Sequence, residues 1–245
     1  MKSLSPSIID GIDSLVDIPV EKDEAVEKAV KQFIETLDGT TQNYTLAYLQ
    51  SVYKHYLSLS LPALDGVQIN LVLQRLLNIK YKFDIKYKSI CFSSAYISAL
   101  IQKSYDVGHN GFVLQTQNVP WDYLCAYVEG SEKRPLDMNV YGDTKDFTGC
   151  GVSWCSFKHE GDAGDDYFDD ADHVKIFLSG ALRETPLANA MNITFKITDK
   201  KIFDHAKVTI KKYDSFFHRH LMLLDPAGKT LDEWDDSMNK NRVAP

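Results

Sequence analysis

The chain has little cysteine, no long apolar run and none of the short signatures that announce the commonest chemistries. Four cysteines in 245 residues, Cys91, Cys125, Cys150 and Cys155, are too few for a disulfide framework, so reduced thiols are expected. No stretch reaches the ~18 apolar residues of a membrane span; the best candidate, 90–101, is short and interrupted by serine. Residues 1–20 carry Ser, Pro and Asp where a signal peptide would be apolar. These absences predict a soluble, cytoplasmic chain without membrane association, with signal-independent export left open. The sequons at Asn43 and Asn192 would matter only in a secretory pathway.

Basic charge is also short: 27 Lys and Arg stand against 34 Asp and Glu, a net charge of −7. A nucleic-acid partner is therefore not expected, because phosphate binding needs a basic footprint. There is no Gly-rich phosphate loop, no Gly-x-Ser-x-Gly, no His-Glu-x-x-His and no Cys-x-x-Cys. Kinase, dinucleotide-dependent dehydrogenase and common serine hydrolase chemistry lack support, and no cofactor is expected. Read along the chain, no internal repeat stands out.

What is present is an ordinary globular composition, 44% hydrophobic and 25% charged, in a chain long enough to bury a sizeable core. The N-terminal part reads as helix. Ala25, Val26, Ala29, Val30, Phe33, Ile34 and Leu37 recur at helical spacing over 23–37, and similar patterns run over 45–59 and 66–78. Residues 79–88 then alternate apolar with Lys or Asp, which predicts a strand with lysines guarding its wet face. A helix is expected at 89–102. Beyond it the chain reads as strands, at 112–116, 123–129, 136–141, 174–178, 193–197, 208–213 and 221–224, with a turn at Asp225-Pro226-Ala227-Gly228. A helix over 203–224 competes with the strand at 208–213. The expected fold class is α+β in one domain: a helical part over about 1–104, a largely antiparallel β-rich part over about 105–235, and a polar tail over 236–245.

The stretch Lys88-Ser-Ile-Cys91-Phe-Ser-Ser-Ala puts a cysteine at the start of a helix among small residues. Helix-terminal amides favour a thiolate there. A nucleophilic thiol also needs a base, and Asp172-His173-Val-Lys-Ile-Phe-Leu sets a histidine at the mouth of an apolar strand. This order, Cys on a helix and then His opening a strand, resembles papain-like cysteine hydrolases, the NlpC-type amidases in particular. The resemblance covers 89–100 and 172–180. It implies hydrolysis of an amide bond, as peptidase, amidase or deamidase, with Cys91 as nucleophile and His173 as general base. The third, orienting residue has Asn192, Asp199 and Asp225 as candidates. His218 and His220, before the apolar run ending in Asp225-Pro226, offer another base. A transglutaminase-like arrangement fits less well, since Trp121 or Asp122 stands where its histidine would be.

Other groupings carry alternative readings. Cys150, Cys155 and His159, with His173 as a fourth, could ligate zinc. The acidic run Glu160, Asp162, Asp165, Asp166, Asp169, Asp170 and Asp172 reads as a solvated loop or a lure for a basic protein partner. With the aromatic residues Trp121, Tyr123 and Trp154, it supports a non-catalytic interaction protein: an inhibitor, an immunity-type protein or a viral accessory protein. A structural subunit that assembles through a free strand edge is a third reading. In each, the partner is a protein or peptide.

Overall fold

The computed structural model describes residues 23–37, 46–83, 88–116, 121–183, 186–212 and 218–235. Among the described residues four helices come first: α1 (Glu24–Leu37), α2 (Leu46–Ser58), α3 (Gly66–Phe83) and α4 (Lys88–Asp106). The starts of α1 and α3 carry capping groups. Asp23 accepts from the backbone N–H of Ala25 and Val26 at 2.9 and 3.2 Å. Asp65 and Gln68 form a reciprocal box, Gln68 N–H to Asp65 Oδ1 at 2.8 Å and Asp65 N–H to Gln68 Oε1 at 3.0 Å. Tyr96 of α4 is fully buried and donates its hydroxyl to the Ala29 carbonyl at 2.7 Å, tying α4 to α1.

The strands follow as β1 (Gly111–Gln115), β2 (Leu136–Tyr141), β3 (Ser153–Glu160), β4 (Asp172–Leu178), β5 (Ile193–Ile197), β6 (Arg219–Leu224) and β7 (Thr230–Asp235), with α5 (Lys200–Lys212) between β5 and β6. They form one sheet in sequence order. The mixed helix-and-sheet composition agrees with expectation; the strand direction does not. Each pairing from β1 through β6 is parallel, and only β6 with β7 is antiparallel. Parallel neighbours need a crossover, and here most crossovers are coils rather than helices. Leu136 pairs with Cys155, Cys155 with Val174 and Lys175 with Thr194, each nineteen residues on. The chain therefore does contain a repeat, of structure more than of sequence. From β2 to β5 each turn of about nineteen residues adds one strand, in the manner of a solenoid, while the steps from Gly111 to Asp137 and from Ile193 to Arg219 each take twenty-six.

The core runs up the stack in columns. Phe112, Met138, Phe157, Ile176, Phe195 and Leu221 are register partners in one; Leu114, Val140, His159, Leu178, Ile197 and Leu223 form the next. All twelve are buried. Glycines let the coils approach. A Cβ on Gly161 would strike the carbonyl of Gly142, and one on Gly180 would strike that of Gly161. The return segments use left-handed backbone at every second residue: Tyr123, Cys125 and Tyr127; Phe147, Gly149 and Gly151; Asp166, Phe168 and Asp170. Neighbouring segments bond across, as in Tyr123 N–H to Asp146 O at 2.9 Å and Gly151 N–H to Asp169 O at 2.8 Å. Those bonds offset the cost of φ > 0 in bulky residues, about 1 kcal/mol or more each.

Several expectations need correcting. Residues 79–83 continue α3 and residue 88 begins α4, so the expected strand at 79–88 does not form; residues 84–87 lie outside the described residues. A strand there would need a neighbour, and α3 already occupies the outer edge of β1. Asn70 accepts from Gln115 N–H at 2.8 Å, and the Gln74 amide donates to the Gln115 carbonyl. The expected strand at 123–129 is a return segment whose alternating φ sign imitates strand alternation. Of the expected strand at 208–213, residues 208–212 are the end of α5 and residue 213 lies outside the described residues; α5 is capped at its start by Asp199, which accepts from Lys201 and Ile202 N–H at 2.7 and 3.2 Å, and the competing helix over 203–224 fits in its first half. β3 and β7 were not expected. The Asn43 sequon and the tail 236–245 lie outside the described residues.

Candidate functional site

Cys91 lies in the first turn of α4 and is buried, at 4% exposure. Burial pushes its thiol up to about 12, and the Asp122 carboxylate pushes in the same direction. Lys145 and the local backbone act the other way and are outweighed. A helix N-terminus favours thiolate only where solvent or a cation shares the charge, and here desolvation dominates.

His173 lies in β4. Its Nδ1 meets Asp172 Oδ1 at 2.7 Å, and its ring stacks on Trp154 with centroids 4.0 Å apart and planes 18° apart. Among the described residues, its polar and ring partners are Asp172 and Trp154, not Cys91. The three orienting candidates have other partners. Asn192 Nδ2 donates to Asp172 Oδ1 at 2.9 Å, Asp199 caps α5, and Asp225 accepts from Ala227 and Lys229 N–H at 2.9 and 2.8 Å in the β6–β7 turn. His220 Nε2 meets Glu233 at 2.5 Å.

The zinc grouping is not assembled. Among the described residues, no set of three His, Cys, Asp or Glu is placed to hold a metal ion. Cys150 and Cys155 are free and buried. His159 is fully buried, with both ring nitrogens engaged: Nε2 with the Gly142 carbonyl at 2.9 Å and Nδ1 with the Tyr167 hydroxyl at 3.2 Å. Since a carbonyl only accepts, Nε2 carries the proton and Nδ1 accepts from tyrosine. Burial holds this imidazole below its usual range. Cys155, Phe157 and His159 are the inward residues of β3, a strand hidden in the sequence because histidine reads as polar.

Carboxylates in the acidic run hold the coils together. Asp162 N–H donates to Asp143 at 3.0 Å, while Asp162 accepts from Ala181 N–H at 2.8 Å. Asp165 N–H donates to Asp146, and Asp169 accepts from Asn189 N–H, both at 3.0 Å. Of the three aromatic residues, Trp121 is buried at 2% exposure. Tyr123 is half-buried and stacks on Phe147, with centroids 4.6 Å apart. Trp154 remains part of the surface, against His173.

The outward side of the strands is chemically different from the coils. One register row reads Asp137, Ser156, Lys175, Thr194, His220, Asp235; its neighbour reads Val113, Asn139, Lys158, Phe177, Lys196, Met222, Glu233. In the centre Lys158 and Lys196 flank Phe177 on adjacent strands, and Lys175 precedes Phe177 on its own strand. Sequence reasoning missed this cluster. The signal that finds it is the nineteen-residue step, which superposes Lys158, Phe177 and Lys196.

No described helix is long and apolar enough to cross a membrane. Compared with protein families, with curated proteins and with solved structures, the chain matches none.

Proposed function

We propose that this chain is a binding module, a helix-capped stack of coils that presents its outward strand face to a protein partner. The observation that carries the reading is the contrast between Cys91 and that face. The thiol is buried and held protonated by its surroundings, whereas the face sets lysine, histidine and aromatic side chains on a rigid parallel sheet. Rigid platforms hold contact residues in place at low entropic cost on binding. A basic partner on the acidic run is less well supported, because Asp162 and Asp169 accept backbone hydrogen bonds from the next coil. Four free, buried cysteines suit a reducing compartment such as the cytoplasm.

The reading is tested against papain-like hydrolysis by the pH dependence of iodoacetamide labelling on native protein, with sites identified by mass spectrometry. Cys91 is expected to stay unlabelled up to about pH 8.5, the ordinary thiol pKa, and to react only after unfolding. Fast native labelling with a lowered apparent pKa would restore Cys91 as a nucleophile and remove the binding-module reading.

A further inference from the structure

The centre of the outward face gathers basic and aromatic side chains in a chain of net charge −7. Lys158, Lys175 and Lys196 surround Phe177. At ordinary strand spacing Lys158 and Lys196 are roughly 10 Å apart at Cα. Lys158 is tied to Glu160 at 2.5 Å. Among the described residues, neither Lys175 nor Lys196 has a carboxylate in ion-pair range. Lys175 is exposed, while Phe177 and Lys196 are half-buried. Uncompensated lysines around a ring form a surface that attracts carboxylates and gains from apolar contact.

The surroundings limit what can bind there. The rows end in Asp235 and Glu233 on β7, Asp137 lies on the other side, and Glu160 borders Lys158. A nucleic-acid strand or a lipid surface spreads negative charge over tens of ångströms and would press phosphates against these carboxylates. A short ligand with its charge concentrated in one place would not. Ser156, Thr194 and Asn139 add hydroxyl and amide groups beside the lysines, suited to main-chain hydrogen bonds.

Resting on the binding-module reading, we infer that the Lys158–Lys175–Lys196 cluster around Phe177 is a docking site for a short acidic peptide segment with an aromatic residue among its carboxylates. The carboxylates meet Lys175 and Lys196, and the aromatic side chain packs against Phe177. The surrounding acids reject basic and extended polyanionic competitors.

Fluorescence anisotropy on the full chain tests this. The probe is a short fluorescein-labelled peptide of glutamates around a central tryptophan; its lysine-for-glutamate counterpart, a single-stranded oligonucleotide and anionic lipid vesicles serve as comparisons. The acidic peptide is expected to bind, more weakly as salt rises from about 0.05 to about 0.5 M. The double substitution Lys175→Glu, Lys196→Glu should weaken it by about tenfold or more. Phe177→Ala should weaken it without changing the salt slope, and Lys54→Glu, at an exposed position of α2, should leave it unchanged. If the charge reversals lower the melting temperature, Lys175→Gln with Lys196→Gln replaces them, with a smaller loss expected. Absence of binding, an equal loss in Lys54→Glu, or tighter capture of the oligonucleotide or vesicles through the same lysines would overturn the inference. If the peptide fails while Cys91 stays inert to labelling, only the ligand chemistry falls; if Cys91 labels as a thiolate, the binding-module reading itself falls.

Discussion

The helical part and the coil stack are built from similar residues but specified in different ways. α1 through α4 are set by neighbours three and four positions away: an apolar stripe, an Asp cap, a capping box. The stack is set by neighbours nineteen positions away from β2 to β5 and twenty-six at its two ends, through register partners, stacked glycines and carboxylates that reach the next coil. Local interactions survive a change at one position with a local loss. A column transmits the change to the coils above and below, so substitutions in the stack should cost more than chemically similar ones in the helices.

The largest effect should come from the glycine column. Gly180→Ala places a Cβ against the Gly161 carbonyl and should destabilise the chain by about 3 kcal/mol, lowering the melting temperature by about 10 °C. Gly111→Ala meets nothing within 4 Å and should stay within about 0.5 kcal/mol. Equal melting curves for the two variants would remove the column from the account.

His159 gives the next effect. It is neutral in the folded state, held below its usual pKa by burial, whereas in the unfolded chain it titrates near ~6.5. Below that pH the unfolded state takes up a proton that the folded state refuses. Stability should therefore fall as pH drops from about 6.5 toward the lowered folded pKa, with a slope of up to about 1.4 kcal/mol per pH unit. His159→Gln should flatten denaturant midpoints in that window. An unchanged slope would show that other groups set the pH dependence.

Smaller again is the seal between the two regions. Asn70→Ala removes the partner of Gln115 N–H and should cost about 1 kcal/mol. With Gln74→Ala it bares the β1 edge, so sedimentation should reveal self-association; a strictly monomeric double variant would mean that the helices cover the edge without these side chains. The least should come from Lys31→Ala, which breaks an exposed i,i+4 pair with Glu35 on α1 and should change the denaturation midpoint by under about 0.5 kcal/mol.

This contrast also explains what could be read from sequence. The helices were legible because their period lies within a short window; α1, α2 and the start of α3 fall where the apolar spacing puts them. The strands at 136–141 and 193–197 were legible because every second residue is apolar. Strand direction was not, since alternation is the same in parallel and antiparallel sheets. β3 was hidden because His159 occupies a core position and takes its partners from Gly142 and Tyr167. The segment 123–129 was misread because alternating φ sign gives the same period as a strand. The cysteine site rested on two windows read separately, and burial of Cys91 is a property of packing that neither window contains. The lysines around Phe177 become visible only once the chain is folded at nineteen residues per coil.

That period is tested most directly by cross-linking. Ser156 and Lys175 are register partners on adjacent parallel strands, about 4.8 Å apart at normal strand spacing, within disulfide range. Oxidation of a Ser156→Cys, Lys175→Cys variant should give one intramolecular disulfide, seen as a linked peptide pair by mass spectrometry. The off-register pair Ser156→Cys, Phe177→Cys, more than about 7 Å apart, should stay reduced under the same conditions. Cross-linking of the second pair in preference to the first, or of both equally, would contradict the nineteen-residue stack and the lysine cluster it assembles.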